Sequence, residues 1–137
     1  MAANGLQMKP KLVVIFNHTL TSVQIDDARC ALAIDAIILP PEEVKRAWAQ
    51  IPATLEAIDD YLAGVRNWLS STAEPGDYVL VQGDFGATYL LVRFALERGY
   101  VPLYSTTTRQ ANEVRLPNGE VRITHDFRHQ IFRRYGR

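Results

Sequence analysis

Short apolar runs alternate along this chain with longer stretches of helical spacing. Lys11–Phe16 (KLVVIF) is brief, β-branched and bounded, and so predicts a buried strand. Thr21 or Ser22 can cap a helix to about Leu32, with Val23, Ile25, Ala28 and Leu32 as its apolar positions. Ala36–Leu39 predicts a second strand, ended by Pro40-Pro41. Pro41 followed by Glu42-Glu43 suits the first turn of a helix reaching about Gln50. Thr54 caps a longer predicted helix to about Ser70, on which Leu55, Ile58, Leu62, Val65 and Leu69 recur at helical spacing. Tyr78–Gln82 is a third strand. The helix after Gly83-Asp84-Phe85-Gly86 runs to about Arg98, and Gly99 is its stop.

Val101–Ser105 predicts a fourth strand, and then the period changes. Asn112–Leu116 and Glu120–Thr124 alternate with period two around Pro117-Asn118-Gly119, a strong hairpin signal whose second arm can continue through Asp126–Tyr135. Helices interleaved with strands in this order predict an α/β fold. Its sheet is mainly parallel and Rossmann-like, with helices on both faces and a C-terminal β-hairpin. The expected organisation is one domain over residues 9–137, with residues 1–8 as a flexible leader.

Composition narrows the class. The chain has 137 residues, 47% of them hydrophobic, which suits one globular domain with a real core. Cys30 is the single cysteine, so there is neither an intrachain disulfide nor a cysteine-based zinc site, and a reducing, cytoplasmic setting is expected. The start lacks a signal-peptide layout, and no apolar run is long enough to span a bilayer, so no membrane association is expected. A formal net charge of zero hides an asymmetry. Residues 1–90 carry 6 Lys+Arg against 11 Asp+Glu, whereas residues 91–137 carry 9 Arg against 4 acids. Arginine forks suit phosphate and carboxylate, although a solvated, internally paired surface gives the same count.

In an open α/β sheet, ligands bind beyond the carboxyl ends of the strands. The loops there are Asn17-His18-Thr19, Gln82–Thr88 and Ser105–Arg109, all polar and rich in small residues. GDFGAT opens a helix, whose first amides and dipole favour an anion. It is neither G-x-G-x-x-G nor a P-loop, and Asp84 could simply cap the helix. YSTTTRQ, residues 104–110, offers hydroxyls and Arg109 for phosphate or ribose, or else merely continues a strand. His18 can exchange protons near neutrality, or be an ordinary loop residue. His125 and His129 would share one face of a strand, but a third ligand is lacking, so no metal and no cofactor is expected.

FNHTLT, QGDFGATY, YSTTTRQ and FRHQIFRRY together give a resemblance over nearly the whole chain from Lys9. The sequence resembles the small CRISPR-associated ancillary proteins of the Csx series, the family numbered twenty. That resemblance implies a CARF-type Rossmann-like domain that binds a cyclic oligoadenylate messenger across the two-fold axis of a homodimer. It also implies a ring nuclease that cleaves the messenger, cyclic tetra-adenylate in the first instance, and ends type III CRISPR signalling. Attack of a ribose 2′-hydroxyl on its own phosphate needs no metal, only in-line positioning and charge stabilisation.

On this reading Gly83, Gly86, Ala87 and Thr88 cradle phosphate, with Phe85 in the same ligand-binding loop. Asn17, Gln82, Thr106 and Thr107 contact ribose or adenine. Arg109 stabilises the pentacovalent phosphate, His18 is the candidate acid or base, and Asp84 is the rival base. Two alternatives remain. One is a sponge that holds the ring without cutting it; the other is a nucleotide-sensing regulatory module. Stable binding of DNA or long RNA is not expected at zero net charge.

Overall fold

The structure is a computed structural model that describes residues 9–137. The leader expected over residues 1–8 lies outside the described residues. Five strands form one sheet: β1 (Leu12–Phe16), β2 (Ile37–Ile38), β3 (Tyr78–Gln82), β4 (Val101–Arg115) and β5 (Val121–Arg134). Their spatial order is β2-β1-β3-β4-β5. The first four run parallel, and β5 pairs antiparallel with β4. The helices are α1 (Ser22–Ala31), α2 (Glu42–Ala49), α3 (Ala63–Thr72) and α4 (Phe85–Glu97). The chain is thus a mixed α/β fold with a mainly parallel sheet and a C-terminal hairpin, as the alternation of elements predicts.

Both sheet faces are covered in the centre, which is why β1 and β3 read as unbroken apolar runs. Leu12, Val14, Leu80 and Leu103 pack towards α1 with Ala28 and Ile34. Val13, Ile15, Val79 and Val81 pack on the other face against α2, α3 and α4, through Val44, Trp48, Val65, Leu69, Leu91 and Ala95. No helix among the described residues is long and apolar enough to cross a membrane.

Three expectations need correction. The inward face of α1 keeps Ala28, with Leu32 packed against the core beside it, but takes in Gln24 where Val23 is expected. Gln24 and Ala28 are buried, while Val23 is exposed. A capping box fixes this rotation: Thr21 Oγ1 accepts the Gln24 amide, and Gln24 Oε1 accepts the Thr21 amide. Next, α3 begins at Ala63 and not near Thr54. Residues 53–62 form turns, held partly by the Tyr61 hydroxyl donating to the carbonyl of Ala47 at 2.7 Å. Leu62 still reaches the core, and Ile58 packs against it, so the apolar spacing is met by turn geometry.

The third correction bears on the site. Ser105–Arg109 is not a loop. β4 runs straight through it to Arg115, paired residue by residue with β5 apart from an irregularity between Ser105 and Thr107. Gly119, at φ +87°, makes the expected turn. Beyond the irregularity the two strands leave the sheet as a ribbon exposed on both faces. β5 is anchored at its far end by Tyr135, whose hydroxyl donates to the carbonyl of Val81. Burial there, with a smaller effect of nearby Tyr104, pushes the phenol up to about 12.

Candidate functional site

The junction of β3 and α4 is tightly built. Trp48 donates its indole Nε1–H to the carbonyl of Gln82 at 2.9 Å. A Cβ on Gly83 would lie 2.7 Å from that same nitrogen, so glycine is required here by close approach of the indole. Asp84 caps α4: its Oδ2 accepts the Ala87 amide at 3.0 Å, and its carbonyl accepts the Thr88 amide at 2.8 Å. Two of the amides expected to cradle phosphate are therefore engaged within the helix. The amides of Phe85 and Gly86 have no acceptor among the described residues. Thr88 Oγ1 is buried without a partner among them. Phe85 itself is 95% exposed at the first position of the helix, and Tyr89, one turn on, is also exposed.

The β1 end is a separate place. His18 packs edge-on against Phe16, with ring centroids 5.2 Å apart. It lines a cavity of about 360 Å³ with Leu20, Arg29, Ile37 and Lys45, between β1, β2 and α1. Asn17 lies exposed beside it.

The base of the ribbon is the third place. Thr106 Oγ1 is spent on the backbone of Ile131. Thr107 lies opposite His129 and Arg109 opposite Phe127, so strand periodicity puts these four residues on one face. A groove of about 440 Å³ between this face and α1 is lined by Val23, Gln24, Thr107, Phe127, Arg128 and His129.

Behind that groove lies a hydrogen-bonded chain of side chains. Gln82 Oε1 accepts the Ser105 amide at 2.8 Å. Gln24 Nε2 donates to Ser105 Oγ at 3.3 Å. Ser105 Oγ meets His129 Nδ1 at 2.5 Å, and His129 Nε2 meets Asp27 Oδ2 at 2.6 Å. The His129 side chain is almost fully buried and that of Asp27 mostly so. Four elements, α1, β3, β4 and β5, thus meet around one serine hydroxyl and its amide.

The predicted catalytic residues His18, Asp84 and Arg109 occupy these three different places. No hydrogen bond or ion pair joins any two of them among the described residues. Thr107 and Arg109 do share a face, and Gln82 reaches the chain behind it. Sequence reasoning missed Gln24, Asp27 and Ser105, and placed His129 with His125 and not with them. Part of this was accessible: counting back from the Asn118-Gly119 turn pairs His129 with Thr107, next to Ser105. The Asp27 contact spans 102 residues and has no local signal.

Comparison with known proteins agrees with the extent of this fold. A protein of Methanocaldococcus jannaschii described as "Uncharacterized protein MJ1673" is 43% identical over 126 residues, 92% of this chain and 97% of that protein. No solved structure matches the chain significantly. The family model described as "Uncharacterized protein MJ1673 family" matches residues 10–133, from the start of the sheet nearly to the end of β5, and the chain belongs to that family.

Proposed function

We propose that this protein is a metal-independent ring nuclease for cyclic oligoadenylate, built on a Rossmann-like domain of the CARF type and acting as a cytoplasmic homodimer. The observation that carries the reading is Phe85 at the start of α4. An aromatic ring 95% exposed stands beside two first-turn amides without acceptors among the described residues, at the carboxyl ends of the parallel strands. Such a ring stacks a base in a sequence-tolerant way, and such amides receive a phosphate. The resemblance carried by QGDFGATY supports the same ligand. A two-fold symmetric ring fits an isologous dimer in which each subunit supplies one such seat.

The phosphate seat then consists of the Phe85 and Gly86 amides with the Thr88 hydroxyl, and not of the Ala87 and Thr88 amides. Gly83 serves the Trp48 contact. Thr107 and Arg109 present a hydroxyl and a guanidinium from the ribbon. The step proposed is attack of a ribose 2′-hydroxyl on the neighbouring phosphorus, with departure of the 5′-oxygen and a 2′,3′-cyclic phosphate as product.

A second reading, the non-cleaving sponge, is favoured by one observation. Asp84 is committed to its helix cap, and His18 lies against Phe16 with no hydrogen bond to the α4 start among the described residues. One experiment separates the two: incubation in EDTA with a molar excess of cyclic tetra-adenylate, followed by chromatography and mass spectrometry. Linear product beyond one equivalent per site, ending in a 2′,3′-cyclic phosphate, is the expected result. Tight binding with the ring recovered intact makes the protein a sponge. Absence of binding overturns both readings.

A further inference from the structure

We propose that Ser105, His129 and Asp27 form a nucleophilic centre for phosphoryl esters, with Ser105 Oγ as the attacking atom. The direction of each hydrogen bond follows from chemistry. An ionised carboxylate only accepts, so His129 carries its proton on Nε2, facing Asp27 Oδ2 at 2.6 Å. That leaves the Nδ1 lone pair to accept from the Ser105 hydroxyl, whose Oγ lies 2.5 Å away. A base aimed at a hydroxyl, and itself oriented by a third group, is the arrangement that activates serine. Burial of the imidazole keeps water from competing for either nitrogen.

Two further contacts fix the geometry around the hydroxyl. The Ser105 amide is held by Gln82 Oε1 at 2.8 Å. Gln24 Oε1 is held by the Thr21 amide at 2.9 Å, which turns Nε2 towards Ser105 Oγ. Ser105 keeps 7% of its surface exposed. The adjoining groove has Gln24 and His129 in its wall and is flanked by Arg128 and by Phe127, which is 68% exposed. A cation and an open aromatic face select an anionic phosphoryl ester that carries an aromatic or base group.

In the step, Ser105 Oγ bonds to phosphorus as the bond from phosphorus to the leaving oxygen breaks. The hydroxyl proton passes to His129 Nδ1 and then to the leaving oxygen. Water, deprotonated by His129, then displaces the phosphoryl group and returns a proton to Ser105. This centre does not rest on the cyclic-oligoadenylate reading, in which the substrate's own hydroxyl attacks.

The test uses an alkyl fluorophosphonate, which has no ribose. Ser105 Oγ would bond to phosphorus, with fluoride and the hydroxyl proton released. The expected result is a single phosphonyl adduct on Ser105, mapped by tandem mass spectrometry within the tryptic peptide Gly99–Arg109. His129→Asn and Asp27→Asn should each slow its formation by a factor on the order of 100 or more. Should either variant fail to fold, the folded wild type is compared with the same protein in urea, where labelling of Ser105 should vanish. No adduct on Ser105 in the folded protein overturns the proposal. So does an equal rate in a folded His129→Asn variant, or labelling that persists in urea.

Discussion

The indole of Trp48 fills the space that any side chain on Gly83 would need. A Cβ there would come within 2.7 Å of Nε1 and 2.9 Å of Cε2, and the indole is itself tied to the Gln82 carbonyl. Gly83→Ala must therefore push a core aromatic away from its hydrogen bond, with an expected cost of about 1–3 kcal/mol. Urea unfolding followed by tryptophan fluorescence checks it. An alanine variant as stable as wild type would show that Trp48 moves freely, and would return Gly83 to the candidate ligand contacts.

Asp84 has two possible duties, and asparagine separates them. Asparagine caps a helix about as well as aspartate, so Asp84→Asn should change stability by no more than about 0.5 kcal/mol, whereas Asp84→Ala should lose about 1 kcal/mol. The carboxylate also places negative charge where the proposed phosphate must sit. Removing it should tighten binding of cyclic tetra-adenylate, read by calorimetry. A fall in turnover on the order of 100-fold with unchanged affinity would instead make Asp84 the base.

Phe85 is nearly free of packing, so truncation should cost almost no stability. If its ring stacks an adenine, Phe85→Ala should weaken ring binding by about 1–3 kcal/mol. Wild-type affinity in that variant would remove the observation on which the proposed function rests.

The elements that are legible in the sequence are those set by short-range forces. β1, β3, α2, α4 and the Asn118-Gly119 turn were legible because each is specified locally, by a buried apolar run, a proline and two acids at a helix start, a side-chain cap or a positive φ. Asp84 as a cap was one of two readings of GDFG, and the side-chain bond to Ala87 shows the cap. The extent of β4 was not legible. A threonine run suits strand and loop alike, and only pairing with β5 decides between them. The inward turn of Gln24 defied the apolar pattern, because the hydrogen bonds to Thr21 and Ser105 offset burial of its amide. Within the candidate site, single loops were recognised, but their separation into three places arose from the sheet order and the ribbon.

Lys11 and Asp77 give the fold a defined response to pH. Asp77 accepts the amides of Lys11 at 3.0 Å and Glu74 at 2.9 Å, and its Oδ2 lies 2.8 Å from the Lys11 ammonium. Burial pushes its carboxyl up, but the hydrogen bonds from the Lys11 side chain and from the two amides outweigh that, and the net shift is downward. The Lys11 ammonium is raised, chiefly by its hydrogen bond to Asp77 against a smaller effect of burial. A lowered carboxyl contributes stability that is whole above its unfolded value, near 3.8, and is lost as pH falls through the folded value. A raised ammonium contributes stability that is whole below 10.5 and is lost as pH rises through its folded value. Between those limits Asp77→Ala, which leaves two amides and an ammonium without their acceptor, should cost roughly 2 kcal/mol or more. Denaturant titrations at several pH values should show the gap between wild type and variant constant near neutrality and narrowing in acid, where the wild type loses what the variant already lacks. A gap that stayed constant into strong acid would mean that the Asp77 carboxylate contributes through packing and not through its charge.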